Sequence, residues 1–255
     1  MQYYPLFLVI YDIQTVVEMK KKIVIMMMLL LAVVGAMAQN GEEQVGRFSI
    51  IPRVGVAIAN LTDNSMMVSS EQTSELKSKS QAGFLGGVDV EYRAAENFAV
   101  SLGAYYARQG YRYADYEEMT ENAGVKSYSG MKNQHANIDY LQVPLMLKAY
   151  VAPGFAVMAG AQMGFLLGDA KFLSESTALE KDKNGSTTYK ETTSKEEVMP
   201  LKKVDVSIPL GLSYEYMNVI LDARYNIGLT NVYKGDKLKS KNKVLTFTVG
   251  YRFTL

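Results

Sequence analysis

The last twelve residues of the chain, Val244–Leu255, alternate strictly between apolar side chains and polar or small ones. A period of two is typical of a β-strand with two different faces. Because an unpaired apolar edge strand promotes aggregation, we expect this strand to pair on both sides and to close a barrel against the first strand. The apolar parity holds Leu245, Phe247, Val249, Tyr251, Phe253 and Leu255, and the other parity holds Thr246, Thr248, Gly250, Arg252 and Thr254.

Seven further segments with the same alternation precede the terminal strand. Three short turns and four long polar loops join the eight strands in strict alternation, which predicts an all-β, eight-stranded antiparallel up-and-down transmembrane β-barrel with its short turns in the periplasm. The predicted strands are Arg47–Asn60, Gln81–Arg93, Phe98–Arg112, Ile138–Val151, a fifth from Phe155, Val204–Tyr216, a seventh from Val219, and the terminal strand. The turns are Ala94–Asn97, Ala152–Gly154 and Met217–Asn218, and the loops are Leu61–Ser80, a segment that ends near Asn137, Asp169–Lys203 and Lys234–Lys243.

Charged side chains fall almost entirely on one parity of these strands. In a membrane that parity must face the lumen, because an Arg or Lys at the bilayer centre costs about 2–4 kcal/mol. The lumen of eight strands is just wide enough for side chains to fill, so equal numbers of acids and bases predict a plug of salt bridges that closes the barrel to solutes. The ten residues are Arg53, Asp89, Glu91, Arg93, Lys148, Asp205, Glu215, Asp222, Arg224 and Arg252.

A soluble, lipocalin-like barrel is the competing architecture, because it would carry the same charges on its outside. The aromatic residues of the apolar parity favour the membrane, since two aromatic girdles around an aliphatic band are typical of a bilayer span. The girdle at the short-turn end comprises Phe48, Tyr92, Phe98, Phe155, Tyr214 and Phe253, and the girdle toward the long loops comprises Phe84, Tyr106 and Phe165.

The N-terminal region has the pattern of a secretory signal peptide. Residues 19–38 combine a lysine triplet, twelve apolar residues and an Ala-x-Ala site, which predicts cleavage between Ala38 and Gln39. We interpret residues 1–18 as a mis-assigned upstream start, residues 39–46 as a polar lead-in and residues 47–255 as the barrel. Removing residues 1–38 takes away three lysines and two acids, so 27 basic and 26 acidic side chains become 24 of each, which gives no sign of nucleic-acid binding.

Two features resemble known outer-membrane proteins. The terminal pattern of Thr248, Gly250, Phe253 and Leu255 resembles the signal that the barrel-assembly machinery reads. The stretches Asp139–Lys148 and Asp222–Leu229 resemble the outer-membrane β-barrel domain family of Bacteroidetes, often called PorT-like or porin-family. The resemblance implies a barrel in outer-membrane lipid and lipopolysaccharide, and one branch of that family is linked to a secretion system for surface proteins.

The sequence favours a structural or interaction role for the barrel over two alternatives. Its long loops would present a surface to an extracellular ligand or protein, and Asn184-Gly185 predicts a hairpin that extends two strands beyond the barrel. The first alternative is a small porin or conduit for solutes, and the second, weaker one is an enzyme that acts on lipids or an accessory of a secretion system.

Candidate chemistry is sparse. The chain has no cysteine, which excludes thiol catalysis. The single histidine, His135, would need a nucleophile such as Ser127 or Ser129, and no nucleophile motif accompanies it, so we interpret it as a polar loop residue. Four acidic residues in the second loop lack the spacing of a calcium loop. We therefore predict no catalytic, cofactor or metal residue; the four acids are Asp115, Glu117, Glu118 and Glu121.

Overall fold

The computed structural model describes residues 45–67, 75–182, 184–235 and 239–255. The predicted upstream start, the signal peptide and most of the lead-in lie outside these residues. No helix in the described part of the chain is long and apolar enough to cross a bilayer, a finding that does not bear on β-barrels.

Eight of the described strands form a closed antiparallel ring, as the sequence predicted. Every neighbouring pair is antiparallel, and the ring closes where Phe48–Leu61 meets Asn242–Tyr251. In the order of the ring, the strands are β1 (Phe48–Leu61), β4 (Lys79–Ala95), β5 (Phe98–Arg112), β7 (Val125–Ala152), β8 (Phe155–Leu166), β11 (Val204–Tyr216), β12 (Val219–Gly228) and β13 (Asn242–Tyr251).

The two ends of the chain seal the barrel. After a break at Arg252, the terminal strand continues as β14 (Phe253–Thr254), which pairs with the start of β1. The backbone N–H of Leu255 donates to the carbonyl of Phe48 at 2.8 Å, so hydrogen bonding extends to the last residue. The closure inferred from the terminal alternation is therefore confirmed.

Two of the three short turns contain residues with a left-handed backbone conformation. Met217 and Asn218 both have positive φ, 48° and 67°. Two successive residues of this kind form the type I′ turn whose twist suits a two-residue hairpin. Gly154, with φ of 70°, supplies the left-handed residue in the turn between β7 and β8.

Three of the four predicted long loops contain strands, which corrects the sequence prediction for the first two. The first loop contains the hairpin β2 (Ser65–Met67) and β3 (Glu75–Lys77). The second contains β6 (Tyr116–Asn122), and β7 begins at Val125 instead of Ile138. The third is the hairpin β9 (Lys171–Lys181) and β10 (Thr187–Val198), as predicted from Asn184-Gly185.

The added strands build a sheet beyond the ring. Strand β7 has 28 residues, and its outer half pairs with β6 on one side and β9 on the other. Strand β10 pairs with β9 and ends the sheet. We call the four strands β6-β7-β9-β10 the external sheet.

The outer wall of the ring is apolar, and its inner side carries the charges. Val54, Leu102, Leu145 and Leu210 are each about half exposed along the wall, while Asp89 is completely buried inside. The aromatic contacts lie near the two rims: Phe48 packs on Tyr92 with ring centroids 4.9 Å apart, as Tyr251 does on Phe253, and Phe84 lies 6.4 Å from Tyr106 at the other end. The predicted assignment of the two parities is confirmed.

Candidate functional site: a sealed lumen and an external sheet

Two arginines and two aspartates form an ion-pair network in the lumen. The guanidinium of Arg53 donates from Nε to Asp89 at 2.8 Å and lies 3.2 Å from Asp222 through Nη1. Arg224 pairs with Asp222 at 2.7 Å and lies 3.5 Å from Asp89. Each of the four side chains is at least nine-tenths buried, and each cation faces both carboxylates, so the network is neutral and cross-linked over three strands.

Glycines make room for this network. A Cβ atom on Gly103 would lie 2.3 Å from the carboxylate of Asp89, and one on Gly250 would lie 2.7 Å from the side chain of Arg53. Both distances are too short for a real contact. The sequence associated Gly250 only with the assembly signal, whereas the structure gives it a packing role in the plug.

A second network fills the lumen toward the short-turn end. Glu91 contacts Lys148 and also pairs with Arg252 at 2.8 Å. Arg252 pairs in turn with Glu215 at 2.7 Å, and the hydroxyl of Tyr150 donates to Glu91 at 3.1 Å. Glu91 and Lys148 are almost completely buried. Two acids again balance two bases.

Two of the ten predicted plug residues make contacts of other kinds. Asp205 is buried, but its described partners are neutral: Thr230 donates to one carboxylate oxygen at 2.7 Å and Asn242 to the other at 3.0 Å. Arg93 is half-buried at the short-turn end, where its guanidinium stacks 3.6 Å above the ring of Tyr150. The expected salt-bridge pairing is wrong for Asp205, which lies nearer the outer mouth and binds neutral groups.

Neutral polar side chains occupy the middle of the lumen. A cavity of about 10 Å³ remains between them, barely enough for one water molecule. The residues that line it are Leu85, Tyr105, Gln142, Gln162, Arg224, Asn226, Thr246 and Thr248.

An apolar cap covers the outer mouth of the barrel. Tyr111 and Tyr233 meet there with their hydroxyl oxygens 3.1 Å apart, and Phe172 of β9 packs on Tyr111. Burial and the nearby Tyr233 raise the pKa of Tyr113 to about 12. Sequence reasoning missed this cap because half of it comes from segments interpreted as polar loops. Its buried members are Leu61, Tyr111, Tyr113, Ala136, Ile138, Tyr140, Ala170, Met199, Leu201, Val232 and Tyr233.

The outermost strand of the external sheet is exposed, in contrast to the buried lumen. All twelve residues of β10 are exposed, on both faces of the strand. One edge of β10 pairs with β9, and no other described strand pairs with the opposite edge. The strand carries charges of both signs between short runs of hydroxyl side chains, so it offers free backbone groups and exposed charges to the medium outside the barrel.

The residues considered for catalysis are not assembled into a site. His135 lies on β7 opposite Arg112 and its Nδ1 is 2.7 Å from the carbonyl of Asn133. Ser127 and Ser129 lie on the same strand, about 26 and 20 Å away at roughly 3.3 Å per residue. Neither serine can reach the imidazole, so the triad that a lipid-acting enzyme would need is not formed by these residues.

Three of the four acidic residues of the second loop lie along β6, and Asp115 directly precedes this strand. Glu117 and Glu118 are neighbours on this strand, so their side chains point to opposite faces. Among the described residues, no group of three or more His, Asp or Glu side chains is arranged to hold a metal ion.

Comparison with known proteins gives a family and several distant structural similarities. Among solved structures, the chain is similar to Ail, the attachment invasion locus protein of Yersinia pestis, with 14% identity, 82% of this chain and 100% of that chain covered, and a TM-score of 0.38. It is also similar to Neisserial surface protein A (17% identity, 81% and 97% covered, TM-score 0.34). A third similarity is to the N-terminal β-barrel domain of OprF from Pseudomonas aeruginosa (12% identity, 82% and 100% covered, TM-score 0.29).

These structural similarities are too weak to support an argument about function, and no curated protein matches the chain significantly. The family model for the outer membrane protein β-barrel domain matches residues 37–234, which is more than half of the chain. That range includes seven strands of the ring and the whole external sheet. The chain therefore belongs to the outer membrane protein β-barrel domain family.

Proposed function

We propose that this outer-membrane barrel is a closed anchor that presents its external sheet to macromolecules outside the cell. The observation that carries the proposal is that the lumen is filled. Two neutral ion-pair networks and an apolar cap occupy it from the short-turn end to the outer mouth. A barrel closed at both ends has no path for solutes. The exposed surface of the external sheet is then the part of the molecule on which an interaction would act.

Conductance in planar bilayers tests the closed state. We expect the refolded protein to give no steady current at moderate voltage, because a solute would have to displace buried ion pairs. An open porin inserted in the same bilayer is the positive control. A stable single-channel conductance would overturn the proposal and favour a small porin.

The finer family assignment and the cellular route are parts of the same proposal. The stretches Asp139–Lys148 and Asp222–Leu229 support placement in the PorT-like, porin-family group of Bacteroidetes barrels. The pattern of residues 19–38 supports export by a cleaved signal peptide, which N-terminal sequencing of the mature protein would test, with Gln39 as the expected first residue. Lipopolysaccharide around the apolar wall and the assembly machinery at the terminal strand are the partners that this route implies.

The chain's role is proposed to be non-enzymatic. The separation of His135 from Ser127 and Ser129 supports this view. Lipid hydrolysis by the purified protein that is lost on changing His135→Ala would contradict it, provided that the variant still folds.

A further inference from the structure

We infer that the free edge of β10 is a self-recognition surface, which pairs antiparallel with β10 of a second copy in an apposed membrane. The inference rests on the proposed role of the external sheet and names its partner. It starts from two observations on Thr187–Val198: the strand ends the described sheet, and every residue on it is exposed. An edge of this length is a template for another strand.

The charges of β10 are complementary to themselves when the strand is reversed. With two copies antiparallel and Thr193 opposite Thr193, Lys190 faces Glu196 of the second copy and Glu191 faces Lys195 of the second copy. Symmetry repeats both contacts, so one pairing creates four opposite-charge pairs. Residues directly opposite in an antiparallel pair point to the same face, which brings the members of each pair together.

Neighbouring registers lose this complementarity. Side chains keep their faces only when the register shifts by two residues at a time. A shift in one direction places Lys190 opposite Ser194 and Glu191 opposite Thr193, and therefore forms no ion pair. A shift in the other direction places Glu191 opposite Glu197, a like-charge contact. The centred register is favoured by charge alone.

The existing sheet leaves these charges available. On β9, the residues directly opposite Lys190, Glu191, Lys195 and Glu196 are uncharged: Leu179, Ala178, Ser174 and Leu173. Lys190 makes no ion pair with any residue in the described part of the chain. Glu196 lies 2.6 Å from Lys171, and Lys195 contacts Glu197, but these side chains are half or more exposed. Ion pairs this exposed are weak, and they leave both groups able to bind a second copy.

The direction of β10 selects copies in apposed membranes. The strand runs from the hairpin tip back to the barrel mouth, where Met199 enters the apolar cap. Two barrels in one membrane both direct β10 toward that membrane, with strands tilted by about 35–45°, so the two edges cannot become antiparallel. Barrels in facing membranes direct β10 in opposite senses, so their two edges can pair antiparallel. In the centred register Val198 lies opposite Thr188 of the second copy. The Val198 residues of the two copies, which mark the two barrel mouths, are then about 33 Å apart along the paired strands.

Vesicle clustering tests the inference. Two populations of phosphatidylcholine proteoliposomes, each with a different fluorophore and with the external sheet outward, are mixed and scored for co-localised clusters. We expect wild type to cluster and the clusters to disperse at high salt, because salt screens exposed charges. Sedimentation equilibrium in detergent should show a dimer that also weakens with salt.

A charge exchange makes the test specific. Variant one carries Lys190→Glu and Lys195→Glu, and variant two carries Glu191→Lys and Glu196→Lys. Each variant alone turns all four contacts into like-charge pairs, so we expect its self-association to fall about tenfold or more. A mixture of the two variants restores all four opposite-charge pairs, and we expect it to cluster like wild type.

The matched control changes two lysines away from the β10 edge. Lys126→Glu with Lys132→Glu on β7 alters the net charge as variant one does and should cluster normally. Folding of each variant is checked by heat-modifiable migration. Absence of wild-type clustering, clustering of either variant alone, or failure of folded variants to cluster when mixed would overturn the inference. A non-conducting wild type in that case would leave the closed anchor in place without a self-recognition surface.

Discussion

At the residue scale, the lumen depends on exact neutralisation. Arg224 contacts Asp222 and approaches Asp89, and all three side chains are at least nine-tenths buried. A buried charge without a partner is costly, and pairing with opposite charges offsets that cost. Loss of one cation should therefore cost far more than loss of a pair on the outer wall.

Changing Arg224→Ala should lower the free energy of unfolding by about 3–5 kcal/mol, because Asp222 then keeps a single, longer contact to Arg53. Urea unfolding of the refolded barrel in lipid vesicles measures this loss. Arg108→Ala is the control, since its pair with Asp139 is partly exposed and should cost about 1 kcal/mol or less. Equal effects of the two changes would contradict a buried plug.

Gly103 gives an independent test of the same network. Its missing Cβ would meet Asp89 at 2.3 Å, so Gly103→Ala should displace the carboxylate and cost about 1–3 kcal/mol. Gly164 also lies on a ring strand, and a Cβ there would meet its nearest atom at an ordinary 3.4 Å. Gly164→Ala should therefore leave urea unfolding nearly unchanged, and destabilisation by both variants alike would argue against the steric account.

Parity in the sequence predicts which charged residues face the lumen, but not which residues pair. The pairs depend on strand stagger around the ring: Asp222 reaches Arg53 across β13, because Asp222 lies beside Thr248 and Arg53 lies beside Gly250. The alternation within one strand does not reveal how that strand is staggered against its neighbours. For the same reason the sequence could not separate Asp205, which is higher in the barrel, from the residues of the plug.

At the element scale, ring strands and external strands have different sequence signals. A ring strand has one face toward lipid and one toward the lumen, and so shows a period of two. Strand β10 is exposed on both faces, so its polar sequence resembles a loop, and it forms through hydrogen bonding to β9. The turn residues Asn184-Gly185 were the only local signal of this hairpin, and Gly185 has the left-handed φ of 82° that such a turn requires.

Removing Phe253–Leu255 should block assembly, because the ring loses the pairing of β14 with β1 at Ser49 and Ile50. We expect the truncated chain to be absent from heat-modifiable material in the outer membrane and to be degraded. Leu255→Phe is the control, since it keeps the backbone hydrogen bond to Phe48 and should assemble normally. Normal accumulation of the truncated barrel would show that closure does not need these residues.

Shortening the external sheet should spare the ring. Ser174 and Lys195 lie opposite each other on β9 and β10, so residues 175–194 can be replaced by an Asn-Gly turn at that point. The shortened protein should still fold and migrate as a heat-modifiable barrel, because none of the deleted residues belongs to a ring strand. Failure to fold, with the conservative change Asn184→Asp as the folded control, would mean that the external sheet stabilises the ring.

At the scale of the whole molecule, two charged networks, a neutral middle and an apolar cap together close one barrel. The sequence predicted the ring and the charged layers from alternation and parity, but not the cap. Four members of the cap come from short segments that have no hydrophobic period: Met199, Leu201, Val232 and Tyr233. They form a core only because the chain returns to the barrel mouth at these points. Such tertiary contacts are not encoded in any local pattern.

Closure predicts the behaviour of the intact protein in detergent. Every ring strand pairs on both sides, so unfolding has no edge from which to start and must break hydrogen bonds around the whole ring. We expect the protein to fractionate with the outer membrane and to migrate on gels at a different apparent mass before and after boiling. The truncated chain, which lacks the closing contacts, should show a single unfolded position at both temperatures. Recovery of wild type as a soluble periplasmic protein would contradict a membrane barrel, because the half-exposed Val, Leu and Phe side chains of the wall would then face water.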